Sequence, residues 1–308
     1  MKKILLPLLI MCMLSVSAQY NNSWIDYNKT YYKFKISNNG LFRIGQPALS
    51  AIGLGATPAQ QFQLWRNGEE VRLFTSVTAG PMGTNDYIEF IGKMNDGIPD
   101  KPLYRDPNNQ LCDSFSLHTD TATYFLTVNT VAPTLRYNNA PNNTSTNTLT
   151  ADDYFMRRAE QPFKQMYNRG FSNLVGQYVY SSSYDAGEGW TSNDIAPCCP
   201  LSQIFTGLNV YTAAPPNSLS LYVATAGNAA FTRNLQVKIN NTLLVDTAMD
   251  NFTLIKKQLN NLPLTYFQNP DNLQVTVGGN STNVNDRIVV GTIAITYPAR
   301  FNFNNLKN

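Results

Sequence analysis

Apolar residues recur mostly at every second position in this chain, in short runs punctuated by Asn, Gly and Pro, a period that belongs to strands rather than helices. Tyr32, Phe34 and Ile36 share one face, Asn38-Asn39-Gly40 supplies turn residues, and Leu41-Phe42-Arg43-Ile44 returns. That pattern predicts a hairpin. Gln46 to Gly53, with Pro47 near its start and Gly53 at its end, predicts a short helix. Phe62 to Trp65 and Val71 to Phe74 alternate on either side of Asn67-Gly68, the dipeptide that favours a tight hairpin. Two further apolar runs, Tyr87 to Ile91 and Tyr124 to Val128, are separated by a long polar loop rich in Asp, Asn, Pro and Gly. Such a loop is functional or disordered in most proteins. Tyr104 and Phe115 within it carry apolar area worth burying, so an ordered loop is expected.

Residues 130–150, dominated by Asn, Thr, Pro and Ala, have nothing to offer a core and predict an exposed loop near a domain boundary. The next segment reads in two ways. Tyr154, Met156, Ala159 and Phe163 could form one face of a helix, or Tyr154-Phe155-Met156 could open a strand. Beyond Phe205 the pattern is regular, with strand-like runs at Leu208 to Tyr211, Leu219 to Ala224, Leu235 to Ile239, Leu243 to Asp246, Phe252 to Leu259, Leu273 to Val277 and Ile288 to Thr296. Turn signals stand at Pro215-Pro216, Asn240-Asn241 and Gly278-Gly279. The expectation is an all-β, mainly antiparallel protein: an N-terminal β-meander domain with one short helix over residues 19–150, then a jelly-roll-like β-sandwich over residues 151–308. The length of 308 residues suits two such domains.

The first eighteen residues stand apart from this pattern. Lys2 and Lys3, the apolar run Ile4 to Leu14, and Val16-Ser17-Ala18 before Gln19 read as a cleaved signal peptide. The run is too short to span a bilayer. Cys12, preceded by Leu9-Ile10-Met11, lacks the small residue that lipoprotein processing needs directly before the cysteine. An exported protein of the periplasm, outer membrane or cell surface is expected, with no transmembrane segment in its mature chain. Cleavage removes two lysines and takes the formal charge from +3 to +1. So small a charge gives no field to recruit nucleic acid or an anionic membrane.

Three cysteines survive cleavage: Cys112, Cys198 and Cys199. An oxidising compartment permits one disulfide, and because adjacent cysteines pair only through a strained ring, a bridge from Cys112 to Cys198 or Cys199 is expected. The spacing is not that of a zinc site. His118 is the sole histidine, so Cys112 with His118 is the one nucleophile and base pair to consider. No GxSxG-like elbow is present, and no catalytic residue is assigned. Asp96, Asp100 and Asp106 crowd one loop with Asn95, Asn108 and Asn109, oxygen donors of the kind calcium prefers; no other cofactor is expected. The same residue types also bond their own backbone in turns. Tyr178, Tyr180, Tyr184 and Trp190, with Glu188 between two glycines, form either a ligand platform or a packing surface.

A family resemblance rests on particular residues. Asp86-Tyr87-Ile88-Glu89-Phe90-Ile91-Gly92, then Asn95-Asp96-Gly97, Leu103-Tyr104, Ser116 to Thr121 and Tyr124 to Thr127 resemble the N-terminal region of PorU-type proteins, gingipain-like cysteine peptidases that serve as sortases in type IX secretion of Bacteroidetes. Asn39 to Ile44 before the short helix, Gln63 to Gly68, Gly187-Glu188-Gly189-Trp190 and Ile295 to Phe301 follow in the family's order. The resemblance implies a non-catalytic region ahead of a caspase-like domain that carries the histidine and cysteine. Neither His118 nor any cysteine here matches that motif, and the catalytic domain is absent from this sequence, as in a truncated or split protein. The function it implies is a scaffold or interaction module for a gingipain-type peptidase domain or for other type IX secretion components. The alternative is a stand-alone surface β-sandwich that binds glycan or protein.

Overall fold

A computed structural model describes residues 22–131, 133–138, 140–141, 149–172, 176, 183–269 and 271–302. The expected signal peptide lies outside the described residues, as do Tyr178 and Tyr180. The chain divides into two compact units, Met1–Lys93 with Thr121–Ala140, and Met94–Asp120 with Pro141–Asn308. The long polar loop therefore belongs to the second unit, although both strands that flank it belong to the first.

The first unit contains β1 (Tyr32–Ile36), β2 (Gly40–Gly45), the helix α1 (Gln46–Ala51), β3 (Phe62–Arg66), β4 (Glu69–Val71), β5 (Phe74–Thr75), β6 (Tyr87–Gly92) and β7 (Ala122–Val128). These make two antiparallel sheets, ordered β1-β7-β3-β4 and β2-β6-β5. The hairpin expected between β1 and β2 does not form. β1 pairs with β7 and β2 with β6, so Asn38 to Gly40 turns the chain from one sheet into the other. The cause is an aromatic layer that both strands must reach: Phe34 of β1 and Phe42 of β2 each lie 5.9 Å from Phe90 of β6, and Phe34 stacks on Tyr124 of β7 at 5.7 Å. Gly92 keeps that layer closed, since a Cβ there would sit 2.5 Å from the Phe42 ring. The helix forms as expected, with Pro47 in its first turn and Gly53 beyond its end at φ +82°. The β3–β4 hairpin also forms, Asn67 (φ 50°) and Gly68 (φ 80°) taking the left-handed conformations that a type I′ turn requires.

The second unit contains β8 (Phe155–Pro162), β9 (Met166–Asn168), β10 (Gly189–Thr191), β11 (Leu201–Phe205), β12 (Leu219–Gly227), β13 (Asn234–Ile239), β14 (Thr242–Ala248), β15 (Leu254–Leu262), β16 (Leu273–Gly279) and β17 (Ile288–Ala299). Two four-stranded sheets, β11-β16-β13-β14 and β15-β12-β17-β8, are antiparallel throughout, and β9 pairs with β10 in a small ribbon. Strands that alternate between facing sheets in this order make a jelly-roll sandwich. Its core is aliphatic, with Leu219, Leu221 and Val223 of β12 and Val290, Ile293 and Ile295 of β17 against Leu235, Val237, Val275 and Val277 of the other sheet. The ambiguous segment after residue 153 is the edge strand β8. Arg157, Arg158 and Pro162 on one edge and Lys256 and Lys257 on the other discourage further strand pairing. Two expectations fail locally: Leu208 to Tyr211 makes only a bridge from Val210 to Ala299, and Gly278-Gly279 ends β16, paired with β13, instead of turning.

One end of the sandwich is pinned by a buried ion pair. The Arg233 Nε donates to both carboxylate oxygens of Asp286, at 2.8 and 2.7 Å, and its Nη1 donates to the carbonyls of Met249 and Asn251, each at 2.7 Å. Both side chains are almost wholly removed from water. A buried guanidinium is tolerated because its donors find acceptors.

Candidate functional site

The long loop, Met94–Asp120, is a strap laid along the outer face of the β15-β12-β17-β8 sheet. Leu111 packs there on Ala224 and Ala226 of β12 and Val289 of β17, a small apolar cluster of its own. Gly291 allows the approach, because a Cβ at that position would lie 2.6 Å from the Leu111 Cβ and 3.1 Å from its carbonyl carbon and oxygen. The strap's own backbone folds into short 3₁₀ turns, Ile98–Leu103 and Pro107–Asn109.

Polar contacts hold the strap down along its length. The Tyr104 hydroxyl donates to the Glu188 carbonyl at 2.5 Å, the Arg105 Nε meets the Asp185 carboxylate at 3.2 Å, and the Trp190 indole N–H donates to the Ser116 carbonyl at 3.1 Å. Tyr104 and Tyr184 form a parallel bridge, and their rings lie 5.4 Å apart. Lys164 pairs with Asp120 and lies 5.1 Å from the rings of both Phe115 and Trp190. The Gln110 side-chain amide donates to the Gly97 carbonyl at 2.7 Å. The order expected of this loop from its aromatic residues is observed, and Tyr184 and Trp190 spend their contacts on holding it.

The three loop carboxylates do not converge. The Asp100 carboxylate is buried and accepts the Leu117 N–H at 2.8 Å, Asp96 accepts from Ile98 at 3.1 Å, and Asp106 caps its 3₁₀ turn by accepting from Asn108 at 2.9 Å. Asp96 and Asp106 each serve a donor two residues on, the ordinary work of Asp in turns, whereas Asp100 ties two distant parts of the strap together. Among the described residues no group of three or more His, Cys, Asp or Glu side chains is arranged to hold a metal ion.

The cysteines correct the sequence reading. Cys198 and Cys199 are joined to each other, and Cys112 is free. Cys112 rides on the strap outside one sheet, whereas Cys198 and Cys199 lead into β11 of the other, so the sandwich core separates them. The Cys112 and His118 dyad does not form either. Cys112 Sγ accepts from the Ser114 N–H at 3.4 Å, while the exposed His118 approaches the Tyr184 hydroxyl at 3.4 Å through Nε2. Burial pushes the Cys112 thiol pKa upward, away from the thiolate a nucleophile needs.

Beneath the strap lies a polar cavity of about 210 Å³, which the sequence did not reveal. Cys112, Gln110, Lys101 and Asp113 line it from the strap, and Glu160, Tyr222 and Lys256 from β8, β12 and β15. Lys101 pairs with Asp113 at 3.1 Å, and Glu160 accepts from the Thr292 hydroxyl at 2.8 Å. Burial raises the Tyr222 pKa and lowers that of Lys256. With Thr292 of β17, these residues come from five segments far apart in sequence, so no local motif announces them. Glu188 is buried as well, accepting the Asp185 N–H at 3.0 Å, and burial raises its pKa.

This architecture has a counterpart among solved structures. The crystal structure of dimeric latent PorU from Porphyromonas gingivalis superposes with a TM-score of 0.51 over 90% of this chain, at 11% sequence identity. The fold is PorU-like. The chain spans about a quarter of that PorU chain, 26% of its length. Two smaller likenesses are to a carbohydrate-binding module, CBM36 in complex with calcium and xylotriose (TM-score 0.27, 13% identity, 45% of this chain and 98% of that one), and to exo-β-1,3-galactanase from Phanerochaete chrysosporium (TM-score 0.24, 12% identity, 76% and 42%). No family model and no curated protein matches the sequence. Among the described residues no helix is long and apolar enough to cross a membrane.

Proposed function

We propose that this chain is the exported, non-catalytic β portion of a PorU-like type IX secretion sortase, acting as a scaffold or interaction module for a gingipain-type peptidase domain. The observation that carries this reading is the PorU-like fold over 90% of the chain. The separation of Cys112 from His118 supports the non-catalytic half of it, since a cysteine peptidase needs thiol and imidazole within hydrogen-bond reach. The strap supports a scaffold role, because a covered, pinned sheet is a rigid body on which another domain can be held. The partner acts at the periplasm, outer membrane or cell surface.

The test is co-expression of the full chain with a gingipain-type peptidase domain, followed by size-exclusion chromatography. Co-elution as a stoichiometric complex is the expected result. Separate elution at micromolar concentrations overturns the scaffold reading, and peptide cleavage by the purified chain that is lost in His118→Ala overturns its non-catalytic half.

A further inference from the structure

The first unit holds a cavity of different chemistry. On the outer face of the β1-β7-β3-β4 sheet, Phe125 of β7 is paired across from Trp65 of β3. The 3₁₀ turn Asn22–Trp24 brings Trp24 onto both, its ring 5.5 Å from each, with Tyr31 edge-on at 5.7 Å. Beside this aromatic cluster opens a cavity of about 380 Å³. Trp24 and Phe125, both half-buried, form its walls with Thr123, and exposed Asn22, Ser23 and Asn67 form its rim. Gly68 completes the lining, none of which is ionisable. The left-handed turn at Asn67 and Gly68 fixes the Asn67 amide at that rim.

We propose that this cavity binds a neutral carbohydrate of one or two pyranose rings. Its volume falls within the range of small-ligand pockets, roughly 300–1,000 Å³. The electron-rich faces of Trp24 and Phe125 attract the weakly positive C–H groups on the face of a sugar ring. Amides and hydroxyls at the rim both donate and accept, as adjacent sugar hydroxyls do. A phosphate or carboxylate would find no charge in the lining, and a purely apolar ligand would strand the rim amides without water. Lys33 and Lys35 stand across from Phe125 and Thr123 on β1 but do not line the cavity, which makes an anionic glycan the competing ligand. The site is independent of any peptidase partner.

Affinity gel electrophoresis of the exported chain tests this, with mixed-linkage β-glucan, xylan or mannan cast into the gel and polygalacturonate as the anionic arm. Retardation by at least one neutral polysaccharide is expected, weakened about tenfold or more by Trp24→Ala, which removes an aromatic wall. Asn67→Gly keeps the turn, because glycine accepts positive φ, so it is expected to weaken binding about threefold with the thermal midpoint unchanged. This second variant decides the matter if Trp24→Ala does not fold. Mobility unchanged in all three neutral gels, retardation by polygalacturonate alone, or retardation that Asn67→Gly leaves intact overturns the proposal.

Discussion

The two sheets of the sandwich share one core but face outward into different surroundings. In β13, Leu235, Val237 and Ile239 are buried while Asn234, Gln236 and Lys238 stay half-exposed, the alternation of a sheet with one face in water. In β17 every residue from Ile288 to Ala299 except Thr296 is buried, because the strap and the core cover both its faces. The outward residues record the difference. Ala224, Ala226 and Gly291 are small where Leu111 must approach, whereas Gln236 and Lys238 are long and half-exposed where only Pro197 and Pro200 come near. A strand's second face thus reports what lies over it, even when the covering element is remote in sequence.

The largest expected effect is one that ignores this difference. Arg233 directly precedes β13 and Asp286 lies just before β17, so their ion pair ties the open sheet to the covered one. Asp286→Ala leaves a guanidinium buried without its anion and is expected to cost about 3–5 kcal/mol in denaturant unfolding. Hydrogen exchange is expected to quicken in β13 and β17 together. Protection lost in one sheet alone would break the view that the pair joins them.

Next comes a substitution that separates the sheets. Gly291→Val must push Leu111 away, and the expected cost is about 1–3 kcal/mol. Exchange protection should fall across residues 94–120 while β13 and β14 keep theirs, and Cys112, otherwise a slow thiol, should react with iodoacetamide in the native state. A strap that stays protected would show that Leu111 does not anchor it.

A pH effect belongs to the covered side as well. Burial raises the Glu188 pKa above its ordinary 4.5, so the folded state holds that proton more tightly than the unfolded chain. The resulting stabilisation is present below about pH 4.5 and is lost as pH rises through the folded pKa. Glu188→Gln keeps an acceptor for the Asp185 N–H and removes the titration, so its stability relative to the parent should rise between about pH 4 and pH 7. Parallel pH profiles for the two proteins would mean that Glu188 titrates normally in the fold.

What the sequence disclosed follows the same division. Alternation and turn residues placed most strands of the open sheet, the short helix and the Asn67-Gly68 hairpin, because these signals are local. Pairing partners are not local, which is why β1 and β2 read as a hairpin although Phe34 and Phe42 draw them into different sheets. β8 was ambiguous because an edge strand carrying Arg157 and Arg158 is half-wet on both faces. Asp96, Asp100 and Asp106 have the composition of a cation site, yet each accepts a different backbone N–H, a spread that composition does not disclose. Nor could spacing tell that Cys112 and the Cys198-Cys199 pair lie on opposite sides of a core.

The smallest expected effect is the control that gives the comparison its edge. Lys238 lies on the outward face of β13, paired across from Leu243 of β14 and Thr276 of β16, with no strap above it. Lys238→Thr exchanges a long cation for a residue that favours strands, on a face already hydrated, and should change stability by less than about 0.5 kcal/mol. The outward position of β17 behaves otherwise, because an added side chain at Gly291 meets Leu111, whereas the half-exposed Lys238 has only Pro197 and Pro200 near it. A loss at Lys238 as large as that at Gly291 would mean that the open face is covered too, and the reading of each strand's outward residues as a record of its cover would fail.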